Sequence, residues 1–292
     1  MPEFRKIVSA ETLWGELFEP SHPKTNTGGG LRVVLFISCN CGNSVLKNLY
    51  EFEKRYPDLL NIIGVATDDP VDPAARITLK KRIWNFYTPD ERAGLKDKLV
   101  GSCMEAGVPC YTGAIKTDYF RAIFKEWDPE ALIMFCFGQW LDAFFYEYPS
   151  RGAYNLHPSD LPKKIGAGTQ PFQNAIRNGL SSAPLTVHQV GELIDMGPIV
   201  GVSPQVNIRL ADGSYPDSIL TMLEKITSIG SWMCVQLVHE IIRMKLRGEN
   251  GPAQCIDFRG LMPENIKQQL AIPAVNDLSE MYTVPAHTLL TN

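Results

Sequence analysis

Long hydrophobic runs alternate with amphipathic stretches along the middle of this 292-residue chain. The run at 31–38 reads Leu-Arg-Val-Val-Leu-Phe-Ile-Ser, and comparable runs occupy Asn61–Thr67 and Ala131–Phe137. Uninterrupted apolar runs of this length are typical of parallel strands that are buried on both faces. Because a helical pattern follows each run, the sequence predicts alternating strands and helices, the element order of an α/β sheet.

A long helix is predicted near the carboxyl end of this pattern. Ser214 offers an N-cap, Pro216 suits a first helical turn, and an apolar stripe with helical spacing continues to Arg247, before the helix-stopping Gly248. Gly230 lies in the middle of the stripe. Since glycine weakens helices, we expect Gly230 to divide this helix into two pieces.

The remaining elements define a three-part organisation. Strands are predicted at 108–111, 151–156, 185–190 and 199–208, and helices at 72–104 and 118–127. We predict one α/β domain over residues 31–248, with a mostly parallel Rossmann-like sheet, helices on both faces and ligands at the carboxyl ends of the strands. Residues 1–30, with a helical piece around Glu11–Phe18 and a Pro/Gly-rich lead-in, form an N-terminal extension, and residues 249–292 form a C-terminal extension.

Charge and cysteine content narrow the class of protein. A formal net charge of -4 argues against a protein whose main role is to neutralise nucleic-acid phosphates. The seven cysteines are odd in number and show no paired metal-ligand spacing, so the sequence predicts a reducing compartment and no metal site. Neither a signal segment nor an apolar run of about 18 residues is present, which makes a cytoplasmic location the expectation.

Three polar side chains form the candidate catalytic centre. Asn155 and His157 are two positions apart at the end of a predicted strand, so both side chains lie on the same face. Asp195 follows in a Gly/Pro-containing loop, from which folding can return a carboxylate to the first pair. When an amine attacks a carbonyl, Asn155 and a protonated His157 would donate hydrogen bonds to the developing oxyanion. Asp195 is expected to raise the pKa of His157 above about 6.5 and to orient its ring.

The combined pattern is more specific than any of its parts. It consists of Asn-Leu-His-Pro-Ser-x-Leu-Pro at 155–162, Gly166, Asn178-Gly179, Val187-His188 and Asp-x-Gly-Pro at 195–198. In this respect the chain resembles, from about residue 32 to 247, the 10-formyltetrahydrofolate-dependent formyltransferases. The resemblance implies the formyltransferase fold, 10-formyltetrahydrofolate as co-substrate, and catalysis by Asn155, His157 and Asp195. His188, in the middle of a strand, is interpreted as a core or supporting residue.

The resemblance also implies a folate pocket at two places in the chain. One is the corner after the third hydrophobic run, where backbone near Leu141 would bind the pterin ring, and the other is the Asp195 loop. The implied cofactor-binding residues are Gln139, Trp140, Leu141, Glu192, Ile194, Met196 and Gly197. Family members that use a purine precursor have an arginine at the position of Gln139, whereas the hydrolytic deformylases of the family have a glutamine there.

The turn after the first strand is the candidate acceptor site. A strand, a polar turn and a helix N-terminus can bind an anion, although a plain βα turn has the same pattern. Ser38-x-Asn40-x-x-Asn43 resembles the phosphate-binding loop of the family, except that Cys39 and Cys41 replace glycines. By resemblance, the acceptor-binding residues are Asn40, Cys41, Gly42, Asn43, Ser44 and Gly166.

The acceptor is expected to be a small-molecule amine. Residues 251–292 contain two basic residues against four acidic ones, which argues against a tRNA substrate. Two alternatives stay open: a formyltetrahydrofolate deformylase, which releases formate, and a non-catalytic folate-binding module. No membrane partner is expected. A homo-oligomer is possible, in which the segment Met281–Leu290 would cover a partner subunit; alternatively, this segment folds back on its own chain.

Overall fold

The structure is a computed structural model that describes residues 4–8 (backbone only), 15–25, 29–68 and 86–276. Its strands are β1 (Phe4–Val8), β2 (Gly15–Pro20), β3 (Leu31–Ile37), β4 (Leu60–Thr67), β5 (Cys110–Gly113), β6 (Ala131–Phe135), β7 (Ala153–His157), β8 (Ser182–Ala183), β9 (Thr186–Gln189), β10 (Ile199–Val202) and β11 (Val206–Asn207). Its helices are α1 (Cys39–Arg55), α2 (Pro89–Glu105), α3 (Asp118–Trp127), α4 (Ala143–Glu147), α5 (Pro171–Arg177), α6 (Ile219–Leu246), α7 (Phe258–Leu261) and α8 (Glu264–Ala271).

One large sheet organises the described part of the chain. Its nine strands follow the order β1-β2-β5-β4-β3-β6-β7-β9-β10. The five central strands, from β5 to β7, run parallel, and the strands at both edges pair antiparallel. The predicted α/β, Rossmann-like fold is therefore confirmed, and the carboxyl ends of β3, β6 and β7 meet at one edge.

The central strand β3 explains why helices cover both faces of the sheet. Val33 and Leu35 pack into the larger core cluster with α1 and α6, whereas Val34 and Phe36 pack into a second cluster with α3 and α4. All four side chains are fully buried. Because successive strand residues point to opposite faces, a continuous apolar run is what a strand between two helical layers requires.

The amino-terminal segment differs from its prediction. Instead of a helix around Glu11–Phe18, Gly15–Pro20 forms strand β2, which pairs with β5; residues 11–14 lie outside the described part. Leu17 and Phe18 are neighbours in sequence but pack into different core clusters, a two-residue period that only a strand satisfies. The domain boundaries proposed after residues 30 and 248 stay predictions.

The long helix α6 begins later than predicted and is continuous. Ser218 caps it by accepting a hydrogen bond from the backbone N–H of Leu220, whereas Ser214 bonds Asp212 in the preceding turn. Gly230 does not break the helix, because its missing side chain makes room for the ring of Phe135. The helix predicted at 72–104 is described only from α2 onward, since residues 69–85 lie outside the described part.

The strand predicted at 199–208 is divided into β10 and β11. Pro204 lies between the two pieces and has no N–H to donate to a ladder. The second piece leaves the large sheet and pairs with β8.

Replacing Gly230 with alanine should destabilise the protein. Alanine favours a helix over glycine by up to about 1 kcal/mol, but a Cβ at this position would overlap the Phe135 ring in the core. Because overpacking of this kind costs roughly 1–3 kcal/mol, we expect Gly230→Ala to lower the free energy of unfolding in urea titrations. Gly94→Ala on α2 is the control: its Cβ meets nothing within 4 Å, so the same substitution should be neutral or stabilising.

Candidate active site

Two of the candidate catalytic side chains, Asn155 and His157, are placed by strand β7 at the carboxyl edge of the sheet, and strand register adds His188. Asn155 and His157 project from the last residues of β7. The antiparallel partner β9 places His188 directly opposite Asn155. The Asn155 Nδ2 atom lies 3.1 Å from His188 Nε2, so a third polar side chain joins the predicted pair.

Asp195 returns to this group from the loop between β9 and β10. Its Oδ1 atom accepts a hydrogen bond from Asn155 Nδ2 at 3.3 Å, and its Oδ2 atom accepts one from the backbone N–H of Gly168 at 2.7 Å. Asp195 has a φ of +54°, in the left-handed region that aspartate and asparagine tolerate better than most residues. The structure therefore brings Asn155, His157 and Asp195 together.

The two histidines are oriented by backbone carbonyl groups. His157 Nε2 donates to the Gly166 carbonyl at 2.9 Å and lies 3.7 Å from Asp195 Oδ2. His188 Nδ1 donates to the Gln189 carbonyl at 2.9 Å, which turns its Nε2 toward Asp195 Oδ1 at 3.4 Å. Because a carbonyl only accepts, these bonds place a proton on Nε2 of His157 and on Nδ1 of His188.

The expected electrostatic role of Asp195 toward His157 needs correction. Burial lowers the pKa of His157, and this effect outweighs the neighbouring Asp195 charge and the Gly166 hydrogen bond, which raise it. Burial alone would raise the pKa of Asp195, but its contacts with His188, His157 and the Gly168 N–H hold it below its ordinary value. The prediction of a raised His157 pKa is wrong, and His157 is a neutral imidazole at neutral pH.

The lowered His157 pKa predicts a loss of stability in mild acid. Below about pH 6.5 the unfolded chain takes up a proton at this histidine before the folded chain does, so the free energy of unfolding falls as the pH falls from there toward the folded pKa. His157→Gln should reduce this dependence in urea titrations between pH 7.5 and 5.5. His239→Gln removes a separate histidine on α6 that also has a lowered pKa. This control should leave unchanged the part of the pH dependence that His157 causes. If the free energy of unfolding of His157→Gln depended on pH as strongly as that of the unmodified protein, the prediction would be wrong.

A cavity of about 220 Å³ opens beside the four polar side chains, and Asn155, His157, His188 and Asp195 all line it. Among the predicted folate-binding residues, Gln139, Trp140, Leu141 and Ile194 line the cavity. Glu192, Met196 and Gly197 are not among its lining residues. Gly197 instead packs against the backbone of Gln189, which leaves no room for a side chain.

Gln139 and Trp140 contribute to the cavity in different ways. The Gln139 carboxamide accepts a hydrogen bond from the Ile115 N–H at 3.0 Å and donates to the Gly113 carbonyl at 2.7 Å, so its polar atoms are committed to the backbone after β5. Trp140 is 56% exposed, and Lys116 Nζ lies 4.9 Å from the centre of its ring. Gln139 thus shapes the wall, while Trp140 presents an aromatic face at the mouth.

The predicted acceptor residues do not converge on this cavity. Asn40, Cys41, Gly42, Asn43 and Ser44 form the first turns of α1, and none of them lines it. The Cys41 Sγ and Ser44 Oγ atoms contact Thr227 Oγ1 at 3.0 Å and Ser231 Oγ at 3.3 Å on α6. A Cβ at Gly42 would lie 2.8 Å from Ile37 Cβ, so this glycine permits close packing on β3.

Gly166, the last of the predicted acceptor residues, lies apart from the first turns of α1. Its carbonyl accepts the His157 hydrogen bond, and the residue lines a second cavity of about 310 Å³ and not the first. The role of Gly166 visible in the structure is therefore to orient a catalytic candidate.

His188 lies where a supporting residue of the site is expected, beside Asn155 at 3.1 Å and Asp195 at 3.4 Å. The available signal was its position, because in a sheet with a known register the middle of β9 pairs with the end of β7. All seven cysteines are free thiols. The described residues contain no group of three or more side chains that could hold a metal ion, and their helices include none long and apolar enough to cross a membrane.

Comparison with known proteins gives a consistent result. Residues 113–221 match the formyl transferase family. Methionyl-tRNA formyltransferase from Kosmotoga olearia is 28% identical over 192 residues, which cover 62% of this chain and 59% of that protein. The enzyme of the same name from Thermodesulfovibrio yellowstonii is 31% identical over 139 residues, or 47% of this chain and 42% of that protein. The chain spans about half the length of these curated relatives.

Solved structures show the same fold. Phosphoribosylglycinamide formyltransferase from Bacillus halodurans superposes with a TM-score of 0.51 and 18% identity, covering 75% of this chain and 97% of that one. The Brucella melitensis structure of the same name gives a TM-score of 0.50 and 21% identity, with 73% and 96% coverage. At this level of identity the similarity is one of fold.

The prediction against a tRNA acceptor is wrong. It rested on the acidic composition of residues 251–292, whereas the curated relatives are named for a tRNA substrate. The net charge of one segment does not report on the surface that would meet a tRNA elsewhere on the molecule.

Proposed function

We propose that the chain is a member of the 10-formyltetrahydrofolate-dependent formyltransferases and transfers the formyl group of 10-formyltetrahydrofolate to an amine, as its match to the formyl transferase family supports. The observation that carries the proposal is the meeting of Asn155, His157 and Asp195 at the wall of one cavity. Residues 31–248 would form the catalytic domain, flanked by the two extensions.

The cavity wall suits a flat heteroaromatic ring with one reactive end. Apolar side chains supply most of the lining, among them Phe137, Leu141 and Val190, and the polar trio stands at one side. Small-molecule sites commonly combine an apolar wall with a few polar groups that fix orientation. The cavity would take the pterin end of the folate, with the formyl carbon facing the trio.

The reaction assigns one role to each catalytic side chain. The acceptor nitrogen forms a bond to the formyl carbon, and the bond from that carbon to the folate N10 breaks. Asn155 Nδ2–H and His157 Nε2–H donate to the oxygen that becomes negative, and a neutral imidazole is sufficient for this purpose. Asp195 accepts the proton that the attacking amine loses, and the proton leaves with N10.

This role requires an exchange of hydrogen bonds. In the described structure His157 Nε2–H points to the Gly166 carbonyl, and Asn155 Nδ2–H points to Asp195. Each donor would transfer from its internal partner to the substrate oxygen as the transition state forms. Catalytic hydrogen bonds often reach their final geometry only in the substrate complex.

The acceptor to test first is the amine of methionyl-tRNA, the substrate in the names of the curated relatives. The purified protein would be incubated with 10-formyltetrahydrofolate alone, with methionyl-tRNA, and with a pooled library of primary amines. Tetrahydrofolate, formate and N-formyl product would be followed together.

Each outcome has one interpretation. Release of tetrahydrofolate only when an amine is present, with an equal amount of N-formyl product, supports formyl transfer. Fast release of formate without an amine would identify the chain as a deformylase instead. Folate binding without turnover under all three conditions would make it a binding module.

A further inference from the structure

The first turn of α1 is occupied by an acidic side chain from another helix. The turn matches the sequence pattern of an anion site, yet Asn40 Nδ2 donates to Oε1 of Glu224 on α6 at 3.0 Å. The other end of the same carboxamide, Asn40 Oδ1, accepts from Lys98 Nζ at 3.1 Å. Both ends of the Asn40 side chain are therefore hydrogen-bonded within the protein, and the partner at one end is a carboxylate.

The Glu224 side chain is buried at this position. It is 6% exposed, and in the part of the chain that the structure describes its Oε2 atom has no hydrogen-bond partner. One helical turn earlier, Thr221 is 2% exposed and its hydroxyl also lacks a partner there. The Glu224 Oε2 atom leaves acceptor capacity beside the first turn of α1, and an acceptor calls for a ligand that brings hydrogen-bond donors.

The Glu224 carboxylate and the Lys98 ammonium act in opposite directions on an anion at this end of α1. A helix N-terminus typically strengthens binding of an anion about 2–5-fold. A second negative charge about 4 Å from a carboxylate, at an effective dielectric constant near 20, weakens binding roughly 10²–10³-fold. The repulsion by Glu224 exceeds the contribution of the helix N-terminus, so Glu224 opposes the binding of a phosphate in this turn.

The turn and Glu224 lie near the catalytic cavity without lining it. Leu223, the residue before Glu224, lines the cavity, and so does Cys136. The Cys136 thiol lies against Cys41 in the first turn of α1, and its pKa is raised by burial first and by Cys41, Cys39 and Glu224 in addition. A group that extends from the cavity toward α1 therefore meets the field of Glu224.

We propose that Glu224 determines the class of acceptor: the part that reaches the first turn of α1 carries hydrogen-bond donors, as hydroxyl or ammonium groups, and no phosphate. That the ligand is a formyl acceptor rests on the proposed function. The exclusion of anions from this turn does not depend on it. An aminoacyl ester end, with its free amine and ribose hydroxyl, satisfies the requirement. A small acceptor with a terminal phosphate at this place does not.

Glu224→Gln tests the proposal directly. Glutamine keeps the shape and can still accept from Asn40 Nδ2, but it removes the charge. Inorganic sulfate is the probe, because its charge of -2 is constant near neutral pH, and binding is read from the backbone amide signals of residues 40–44 by NMR. We expect sulfate to shift these signals at a concentration at least tenfold lower in Glu224→Gln than in the unmodified protein.

The control is Glu240→Gln, which removes a partly exposed charge further along α6 and should leave the sulfate response unchanged. Equal sulfate responses of the unmodified protein and Glu224→Gln would overturn the proposal. So would millimolar sulfate binding at residues 40–44 of the unmodified protein, a measurement that needs no variant. Because neither measurement uses turnover, absence of formyl transfer would refute the proposed function without deciding this inference.

Discussion

Asp195→Asn should lower kcat for formyl transfer by about 10²–10⁴-fold, the usual contribution of a positioned acid–base group, without unfolding the protein. The carboxylate accepts hydrogen bonds from Asn155 and from the Gly168 N–H and stands 3.7 Å from His157 Nε2. Asparagine tolerates the left-handed backbone of this residue, so the change tests the charge and not the fold. Rates would be measured under saturating substrates, with circular dichroism as the check on folding.

Glu192→Gln is the matched acid-to-amide control in the same loop. Glu192 is exposed and lies outside the lining of the cavity, so we expect its rate to stay within about twofold, as for a surface substitution. A loss comparable with that of Asp195→Asn would restore the folate-binding role predicted for Glu192. A rate for Asp195→Asn within a factor of two of the original would remove Asp195 from the mechanism.

Elements with strong local signals could be predicted from the sequence. The apolar runs of β3 and β4 are continuous because both faces are covered, and α3 lies at its predicted residues, 118–127, where Thr117 caps its first turn. Strand β2 was missed because one half-buried strand of six residues gives a weak period. Its assignment depends on β5, which lies more than 90 residues later in the chain.

The residues of the candidate site also differ in how far local sequence predicts their positions. Asn155 and His157 could be paired from strand alternation alone, because the pairing is local. The place of His188 depends on register between β7 and β9, and the return of Asp195 depends on the course of a whole loop. The sign of the His157 pKa shift could not be predicted, since burial is set by residues distant in sequence.

The predicted acceptor region shows most clearly what a local sequence pattern cannot predict. The polar turn at 38–44 has the composition of an anion site, and the nearby sequence departs from that pattern only at Cys39 and Cys41, which replace glycines. The contradicting group is Glu224, 184 residues away from its partner Asn40. A local pattern reports which groups a turn can offer to a ligand, but the packing of α6 on α1 decides whether they stay available.

Gly197→Ala should reduce kcat by at least about 10²-fold although residue 197 does not line the cavity. A Cβ here would overlap the carbonyl oxygen of Gln189 and lie 2.9 Å from its carbonyl carbon. These are backbone atoms, and Gln189 is tied to Pro198 by a hydrogen bond of 2.9 Å, so the clash cannot be relieved by a side-chain rotation. The loop itself must move, and Asp195 moves with it. A displacement of about 1 Å at a reacting group can cost 10²-fold in rate.

The control for this change is Gly94→Ala, at which the new methyl group meets nothing within 4 Å. It should leave both kcat and the melting temperature close to their original values. Gly197→Ala should in addition lower the melting temperature, because the bond between Gln189 and Pro198 is strained together with the loop. If the rate of Gly197→Ala were unchanged, catalysis would not depend on the position of Asp195, and the roles assigned to the trio would fail with it.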